Sequence, residues 1–288
     1  MNIASALREA SHRLKKKGME SPDLDARVIL SHVLDIPPFD LQLNSREEIS
    51  SEKEKNFSKL VEMRENGMPC AYLLGRKEFW SLDFRLNPST LIPRPETELI
   101  VEEALRILKE NSLTAPKVLD LGTGSGAIAV SLAREVQAAD LVATDISFEA
   151  LLVARENARR HCVSSRIHFV QTDWLTSFKK LTGSCSFDLV TANPPYIGED
   201  EIRTLDMNEL RYEPGIALFS GRQGLNAISE LLHNVPRILK PGGWFLCEIG
   251  FRQGEKANAL AMETGCYRKV EILKDINSHD RMLKVQRK

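Results

Sequence analysis

Val118-Leu119-Asp120-Leu121-Gly122-Thr123-Gly124-Ser125-Gly126 joins a short apolar strand to a glycine-rich loop, and this stretch decides the fold class. Glycines let the backbone turn sharply and approach a ligand without a β-carbon in the way. The spacing is GxGxG, which differs from the GxGxxG motif that seats a pyrophosphate on a helix N-terminus. Taken alone, the loop is also compatible with a tight strand-to-helix turn that binds nothing.

Strand and helix patterns alternate from this stretch to the C-terminal end of the sequence. Predicted strands cover residues 118–121, 141–144, 166–171, 187–192, 244–249, 268–274 and 281–286, and predicted helices cover 126–136, 147–160, 224–239 and 252–264. Such alternation predicts a mostly parallel sheet with helices on both faces. The predicted fold class is therefore α/β, with a Rossmann-like, mostly parallel seven-stranded sheet.

The N-terminal part of the chain is predicted to be a small helical-bundle domain over residues 1–75. Ser21-Pro22-Asp23 combines a capping residue with a proline at the first helical position, which predicts a helix to about Leu34. Ser51 and Glu54 have the spacing of a capping box. Apolar residues also recur at helical spacing near the start, at Ile3, Leu7, Ala10 and Leu14.

A β-hairpin linker is predicted over residues 76–97, between the helical domain and an α/β domain at 98–288. Alternating apolar and polar residues predict a half-buried strand from Glu78 to Asn87. The prolines of the following stretch, Pro93 and Pro95, can neither extend a sheet nor allow a helix to begin before Pro95.

Acidic and aromatic side chains at the ends of two further strands predict a nucleoside pocket. Asp145 closes the second strand about twenty residues after the first, where a carboxylate can accept hydrogen bonds from both ribose hydroxyls. Asp173-Trp174 follows the third strand, where an acid can accept from an adenine amino group and an indole can cover the ring. A tryptophan at a strand end is as often simply a packing residue.

Asn193-Pro194-Pro195-Tyr196 ends the next predicted strand at the same edge of the sheet. The prolines stiffen the turn and carry no N–H, so the turn presents acceptors: the side-chain carbonyl of Asn193 and the backbone carbonyl of Pro194. Two convergent acceptors fit a planar NH2 group, and Tyr196 can cover its flat face. The alternative is a rigid proline turn that merely terminates the strand.

The chemistry that fits this turn is methyl transfer to an amide-like nitrogen. The lone pair of such a nitrogen is delocalised into the carbonyl group, and acceptors placed for the transition state would make it directional. A methyl sulfonium supplies the electrophile, so that no metal and no covalent intermediate are needed. The prediction is a class I methyltransferase that depends on S-adenosyl-L-methionine (SAM).

Composition narrows the possible partners. The formal net charge is −1, and no Lys/Arg-rich stretch with interleaved aromatic residues suggests a nucleic-acid surface. The five cysteines include no CxxC pair and the six histidines no HExxH motif, so no metal is expected. No apolar run approaches the roughly 20 residues that span a bilayer, and no secretion signal is evident, so a cytoplasmic protein without a membrane partner is expected.

With these residues assembled, the chain resembles the HemK/PrmC family, the peptide chain release factor N5-glutamine methyltransferases, over nearly its whole length. A hairpin sequence, Leu91-Ile92-Pro93-Arg94-Pro95-Glu96-Thr97-Glu98, precedes the Asn-Pro-Pro-Tyr site, and Tyr212-Glu213-Pro214 follows it. This combination narrows the resemblance. The loop from Asp120 to Gly126 and the segments Pro241-Gly242-Gly243, Glu248-Ile249-Gly250 and Asp280-Arg281 also match.

The resemblance implies the substrate and the site residues. The substrate would be the glutamine of the Gly-Gly-Gln loop of class I release factors, and the helical domain would contact that protein. The cofactor would be bound by Gly122, Thr123, Gly124, Ser125, Gly126, Asp145, Trp174 and Asn193. The glutamine would be held by Asn193, Pro194, Pro195 and Tyr196, with Asn193, Pro194 and Tyr196 as catalytic residues. Pro93–Thr97 would lie over the cofactor or serve only as a linker.

Two alternative functions remain open at this point. An adenine or guanine amino-methyltransferase acting on nucleic acid faces the same chemical problem, but it must extrude its base and bind phosphates. A SAM-binding protein that has lost catalysis is the second alternative, and the intact Asn193-Pro194-Pro195-Tyr196 weighs against it. A nicotinamide-dependent dehydrogenase is disfavoured by the glycine spacing.

Overall fold

The computed structural model describes residues 1–178, 186–202 and 207–288. They form two compact units, one made of Met1–Arg76 with a short segment that ends at Tyr212, and one made of the stretch that begins at Lys77 together with Glu213–Lys288. No helix among the described residues is long and apolar enough to cross a membrane. The four cysteines within the described residues are free thiols, and Cys185 lies outside these residues.

The first unit is helical. Its helices are α1 (Ile3–Lys16), α2 (Pro22–Leu34), α3 (Asp40–Leu43), α4 (Ser51–Glu65) and α5 (Cys70–Leu74), and a further short helix, Met207–Leu210, lies in the segment that ends at Tyr212. The apolar spacing predicted for α1 is confirmed, because Ile3, Ala10 and Leu14 are all buried in one core. The short helices α3 and α5 were not predicted from the sequence, since four or five residues carry too little periodicity to be recognised.

Two capping predictions for this unit need correction. Ser50, not Ser51, caps α4, and its hydroxyl accepts a hydrogen bond from the backbone N–H of Lys53 at 3.4 Å. Ser21 stands at the N-cap of α2 but makes no capping hydrogen bond with its side chain. The sequence position of a serine therefore does not show whether its hydroxyl accepts a hydrogen bond from the unpaired backbone N–H groups of the first helical turn.

The second unit begins with a two-stranded hairpin, β1 (Arg76–Phe79) and β2 (Leu82–Arg85). The single strand predicted over 78–87 is therefore wrong, because the chain reverses at Trp80-Ser81, whose φ angles are 51° and 56°. Two successive positive φ values are typical of the tightest hairpin turns, which usually contain Asn or Gly. Two hydrogen bonds stabilise Trp80 in this conformation: its backbone N–H donates to Glu98 at 2.7 Å, and its indole N–H donates to Glu135 at 2.8 Å.

A seven-stranded sheet forms the centre of the second unit, and its strand order is β5-β4-β3-β6-β7-β9-β8. The pairs formed by β3 to β7 are parallel, while β9 runs antiparallel to both of its neighbours. The strands are β3 (Lys117–Leu121), β4 (Asp140–Asp145), β5 (Ile167–Gln171), β6 (Phe187–Ala192), β7 (Leu239–Glu248), β8 (Tyr267–Lys274) and β9 (Asp280–Arg287). The predicted Rossmann-like sheet is confirmed.

Helices of the second unit accompany the sheet, and two core clusters include buried side chains of both. The helices are α6 (Glu98–Glu110), α7 (Ala127–Glu135), α8 (Phe148–Arg160), α9 (Asn226–Asn234) and α10 (Gly254–Glu263). The helix predicted over 224–239 is too long, since a 3₁₀ turn, Val235–Arg237, replaces its last part. Pro236 lacks the N–H that would continue the helix, and β7 already begins at Leu239 rather than at residue 244.

Register brings three predicted strand ends to one edge of the sheet. Leu121, the last residue of β3, pairs with Thr144 on one side and with Ala192 on the other. Because the carboxyl ends of neighbouring parallel strands lie together, the glycine loop, Asp145 and Asn193 all follow at this edge.

Candidate active site

The glycine loop is held in place by the carboxylate at the end of the neighbouring strand. Asp145 accepts a hydrogen bond from the backbone N–H of Gly124 at 2.9 Å and another from that of Ser147 at 2.9 Å. Gly126, with a φ of 83°, begins α7 where a β-carbon would come within 3.1 Å of Ala154. Burial raises the pKa of Asp145 above its usual value, against the lowering effect of these amide donors.

Asp120 supports the loop from inside the protein. Its buried carboxylate accepts from the hydroxyl of Thr123 at 2.7 Å and from that of Thr191 at 2.8 Å, which ties the loop and β6 to β3. Burial raises its pKa to about 6, although both hydroxyl groups act in the opposite direction. The hydroxyl of Thr191 thus has a structural partner, a role that was not expected from the sequence.

A cavity of about 390 Å³ opens beside this loop and has the size of a small-molecule site. The structure brings most of the predicted site residues together in its lining: Gly122, Thr123, Gly124, Ser125, Asp145, Asp173, Trp174, Asn193 and Pro195. Gly126, Pro194 and Tyr196 are not among the lining residues. Their predicted contacts with cofactor or substrate stay predictions.

Many other residues that line the cavity are not indicated as site residues by the sequence. Besides Pro93 and Thr97, the lining includes Ser89, Thr90, Leu91, Pro214, Ile216, Ala217, Phe219, Ser220, Gly221, Asn226, Ala227 and Glu230. These residues lie mainly in two irregular segments, which carry no periodic pattern that could have indicated them. The prolines of the hairpin sequence and the Tyr-Glu-Pro motif were the available signals, and both border these segments.

The two polar groups of the Asn193 side-chain amide differ in their hydrogen bonding. Its side-chain NH2 donates to the hydroxyl of Thr97 at 3.2 Å. Its side-chain oxygen, Oδ1, is buried and has no hydrogen-bond partner among the described residues. A buried carbonyl without a donor is costly, so this oxygen is an acceptor that the described residues leave unsatisfied. The role of Asn193 as an acceptor for the substrate stays a prediction.

Tyr196 is held by a hydrogen bond to its backbone and by the packing of its ring. Its carbonyl oxygen accepts a hydrogen bond from the side-chain NH2 of Gln253 at 2.8 Å. Its ring packs against the core cluster that includes Val190 and Phe245. Burial, followed by the nearby negative charge of Glu248, raises the pKa of the Tyr196 hydroxyl, so it stays protonated over the whole physiological range.

Metal ligands are not grouped anywhere in the part of the chain that the structure describes, where no three His, Cys, Asp or Glu side chains lie together as a metal site would require. What the cavity offers instead is a glycine-lined loop and the Asp145 carboxylate, and its lining also includes Asn193, whose buried side-chain oxygen has no partner among the described residues. These features fit a nucleoside-containing methyl donor next to a nitrogen that carries hydrogen.

The fold is that of the class I SAM-dependent methyltransferases. Comparison with solved structures agrees with this fold: a methyltransferase from Pyrococcus furiosus superposes with a TM-score of 0.51 over 82% of this chain and 98% of its own, at 16% identity. The hMettl16 catalytic domain, solved in complex with a 3′UTR hairpin, gives a TM-score of 0.58 over 89% and 91% of the two chains, at 14% identity. Identities this low show the fold alone.

Sequence comparison identifies the family. A family model described as the PrmC N-terminal domain matches residues 5–75, and a methyltransferase domain model matches residues 112–278. The release factor glutamine methyltransferase of Caulobacter vibrioides is 38% identical over 98% of this chain and 96% of its own. That of Nitratidesulfovibrio vulgaris is 39% identical over 99% and 95% of the two chains. The chain belongs to the family of release factor glutamine methyltransferases, and the predicted resemblance is confirmed.

Longer relatives also exist. The bifunctional methyltransferase of Rickettsia typhi is 37% identical over 99% of this chain, and the match spans 57% of that protein's length. The chain thus corresponds to a little more than half of such a relative.

Proposed function

We propose that this protein transfers the methyl group of SAM to the side-chain amide nitrogen of the glutamine in the Gly-Gly-Gln motif of class I peptide chain release factors. The proposal is supported by the family and by one structural observation, the buried and unpartnered Oδ1 of Asn193 at the cavity that Asp145 also lines. By modifying that loop in the cytoplasm, the enzyme would modulate translation termination.

Each part of the site has a distinct task in this reaction. The bound cofactor would supply an electrophilic methyl group and its sulfur would keep the electron pair of the broken S–CH3 bond, while the glutamine nitrogen would lose one proton to solvent as it gains the methyl group. Asp145 and the glycine loop would hold the nucleoside, with the carboxylate as acceptor for the ribose hydroxyls. Asn193 would accept a hydrogen bond from the glutamine NH2 and so direct the nitrogen lone pair toward the methyl group. Pro194 would supply the second acceptor through its backbone carbonyl.

The decisive experiment uses labelled SAM with three potential acceptors in parallel. The protein is incubated with a purified class I release factor, with the same factor carrying Gln→Ala in its Gly-Gly-Gln loop, and with bulk nucleic acid. Label in the first reaction alone supports the proposal. Label in nucleic acid would indicate a base amino-methyltransferase instead. No label in any reaction, together with intact SAM binding, would indicate a protein that binds the cofactor without catalysis.

A further inference from the structure

Hydrogen bonds link three side chains from the end of β7 to the turn formed by Asn193-Pro194-Pro195-Tyr196, which we call the acceptor turn. Glu248, the last residue of β7, accepts from the hydroxyl of Thr97 at 2.7 Å. The same hydroxyl oxygen accepts from the side-chain NH2 of Asn193 at 3.2 Å. Thr97 and Glu248 are buried, with 3% and 1% of their surface exposed. Only Asn193 of the three was recognised from the sequence as a site residue.

The direction of these hydrogen bonds follows from the number of protons available. A threonine hydroxyl has a single hydrogen, and Thr97 donates it to a carboxylate oxygen of Glu248, whose pKa burial raises. Since Thr97 donates its hydrogen to Glu248, only its lone pairs remain for Asn193. The end of the Asn193 amide that faces Thr97 must therefore be the NH2, and the opposite end must be the carbonyl oxygen.

This direction matters because the two ends of an asparagine amide have almost the same shape. Reversal would turn the NH2 of Asn193 to the place now occupied by Oδ1, the atom that lies buried without a partner. A substrate NH2 would then meet another donor, and neither group would be satisfied. Packing alone would hardly distinguish the two orientations.

We propose that Thr97 and Glu248 are positioning residues that fix the Asn193 amide with its carbonyl oxygen available to the substrate nitrogen. The inference rests on the proposed function for its substrate. The inference also explains substrate specificity. Because the hydrogen bonds from Asn193 to Thr97 and from Thr97 to Glu248 fix the direction of the Asn193 amide, the site selects a substrate nitrogen that donates a hydrogen bond. It also disfavours a substrate group that can only accept, such as the carboxylate of a glutamate at the same place in the loop.

Thr97→Val tests the proposal with a side chain of nearly the same shape that can neither donate nor accept. We expect turnover of the release factor to fall roughly 10- to 100-fold, less than for removal of Asn193 itself because the amide is still present, with SAM affinity nearly unchanged. Thr97→Ser keeps the hydroxyl and should restore most of the lost turnover. Thr264→Val, which removes a hydroxyl that donates to the carbonyl of Ala261 at 2.8 Å outside the cavity lining, is the control and should leave turnover unchanged.

Glu248 gives a second pair of variants. Glu248→Gln retains an oxygen that can accept from Thr97, while Glu248→Leu has none. We expect the leucine variant to lose turnover to a similar extent as Thr97→Val and the glutamine variant to lose clearly less. Melting temperatures of both must be measured, because a buried position also contributes to stability.

A double-mutant cycle separates positioning from a direct role. If Thr97 acts through Asn193, then Thr97→Val combined with Asn193→Ala should be no slower than Asn193→Ala alone. Additive losses would overturn the proposal, as would equal losses of SAM affinity and turnover in Thr97→Val. Failure of Thr97→Ser to restore turnover would also count against it.

A measurement without substrate keeps this inference distinct from the proposed function. In ¹⁵N-labelled protein the side-chain NH2 signal of Asn193, assigned by its loss in Asn193→Ala, should be protected from hydrogen exchange in the wild type and in Thr97→Ser. Protection should be lost in Thr97→Val. Wild-type protein that methylates no release factor would refute the proposed function, whereas unchanged protection in Thr97→Val would refute the positioning role.

Discussion

The carboxylate of Glu213 accepts a hydrogen bond from the backbone N–H of Ile92 at 3.0 Å, across 121 residues of sequence. Glu213 also pairs with the guanidinium of Arg94, and its side chain is 1% exposed. The two motifs that narrowed the family, the hairpin sequence and Tyr-Glu-Pro, therefore meet through one buried acid. Since residues of both motifs line the cavity, among them Pro93 and Pro214, this contact holds together two segments of its lining.

Glu213→Gln should destabilise the protein by about 1.5–3 kcal/mol, because it removes the charge from a buried acceptor of two hydrogen bonds. Urea unfolding at neutral pH would measure the change. Glu102→Gln, on the exposed side of α6, is the matched control and should change stability by less than about 0.5 kcal/mol. Equal effects at the two sites would show that the buried contact contributes nothing particular.

Asn193→Ala should lower turnover by roughly 10²–10³ while it leaves SAM affinity nearly unchanged, because it removes one acceptor that acts in the transition state. Steady-state kinetics with a release factor and calorimetric titration with SAM would test both parts. A loss of SAM affinity as large as the loss of turnover would place Asn193 in cofactor binding instead.

Asp145→Asn should weaken SAM binding about 10- to 100-fold, since hydrogen bonds to a charged acceptor typically contribute about 1.5–3 kcal/mol. The same carboxylate also holds the N–H of Gly124, so the loop itself should become less ordered. Asp140→Asn, at the exposed beginning of the same strand, is the control. Unchanged calorimetric affinity in Asp145→Asn would exclude the ribose role.

How much of the fold was predictable depends on whether the signal was local. The parallel strands were recognised because burial on both faces gives continuous apolar runs, as in Val118–Leu121. The turn at Trp80-Ser81 was not, since its positive φ angles are stabilised by Glu98 and Glu135, two residues distant in the sequence. Local propensity gave no indication of that turn.

The site shows the same division. Asp145 and Asn193 were predictable because both follow parallel strands, whose carboxyl ends share one edge. The wall formed by the segment around Phe219 was not, because long-range backbone contacts place it. The N–H of Ile197 donates to Leu218 at 2.9 Å, and that of Ser220 donates to Ile197 at 3.0 Å. Such pairing between loops leaves no periodic trace in the sequence.

Asp120 should make the protein's stability depend on pH between about 4 and 6. Burial raises its folded-state pKa to about 6, above the unfolded value near 3.8, so the folded state binds a proton more tightly. The contribution of this group to the free energy of unfolding therefore rises as the pH falls from 7.5 to 4.5, by roughly 2 kcal/mol. Above pH 6 this contribution is absent.

Asp120→Asn isolates this contribution from those of other titrating groups. Urea unfolding of both proteins at several pH values gives the difference in stability at each. The variant should gain relative to the wild type as the pH rises from 4.5 to 7.5, and the pH near which that gain levels off reports the folded-state pKa of Asp120. A difference that is independent of pH would mean that Asp120 titrates normally.

Gly224→Ala should displace the backbone of the acceptor turn at Tyr196. Gly224 has a φ of 71°, and a β-carbon there would lie 2.0 Å from the carbonyl oxygen of Tyr196 and 2.8 Å from the side-chain nitrogen of Gln253. Those two atoms form the hydrogen bond that holds the turn, so the backbone of Tyr196 must shift. Because Asn193 is three residues away in the same stiff turn, turnover should fall more than SAM affinity.

Gly265→Ala separates this contact from simple backbone strain. Gly265 has a similar φ of 64°, but a β-carbon there would meet nothing within 4 Å. It should therefore show only the cost of a positive φ, roughly 1–2 kcal/mol of stability, with normal turnover. If both alanine variants lost the same stability and kept the same turnover, the close approach of Gly224 to Tyr196 would have no part in holding the acceptor turn.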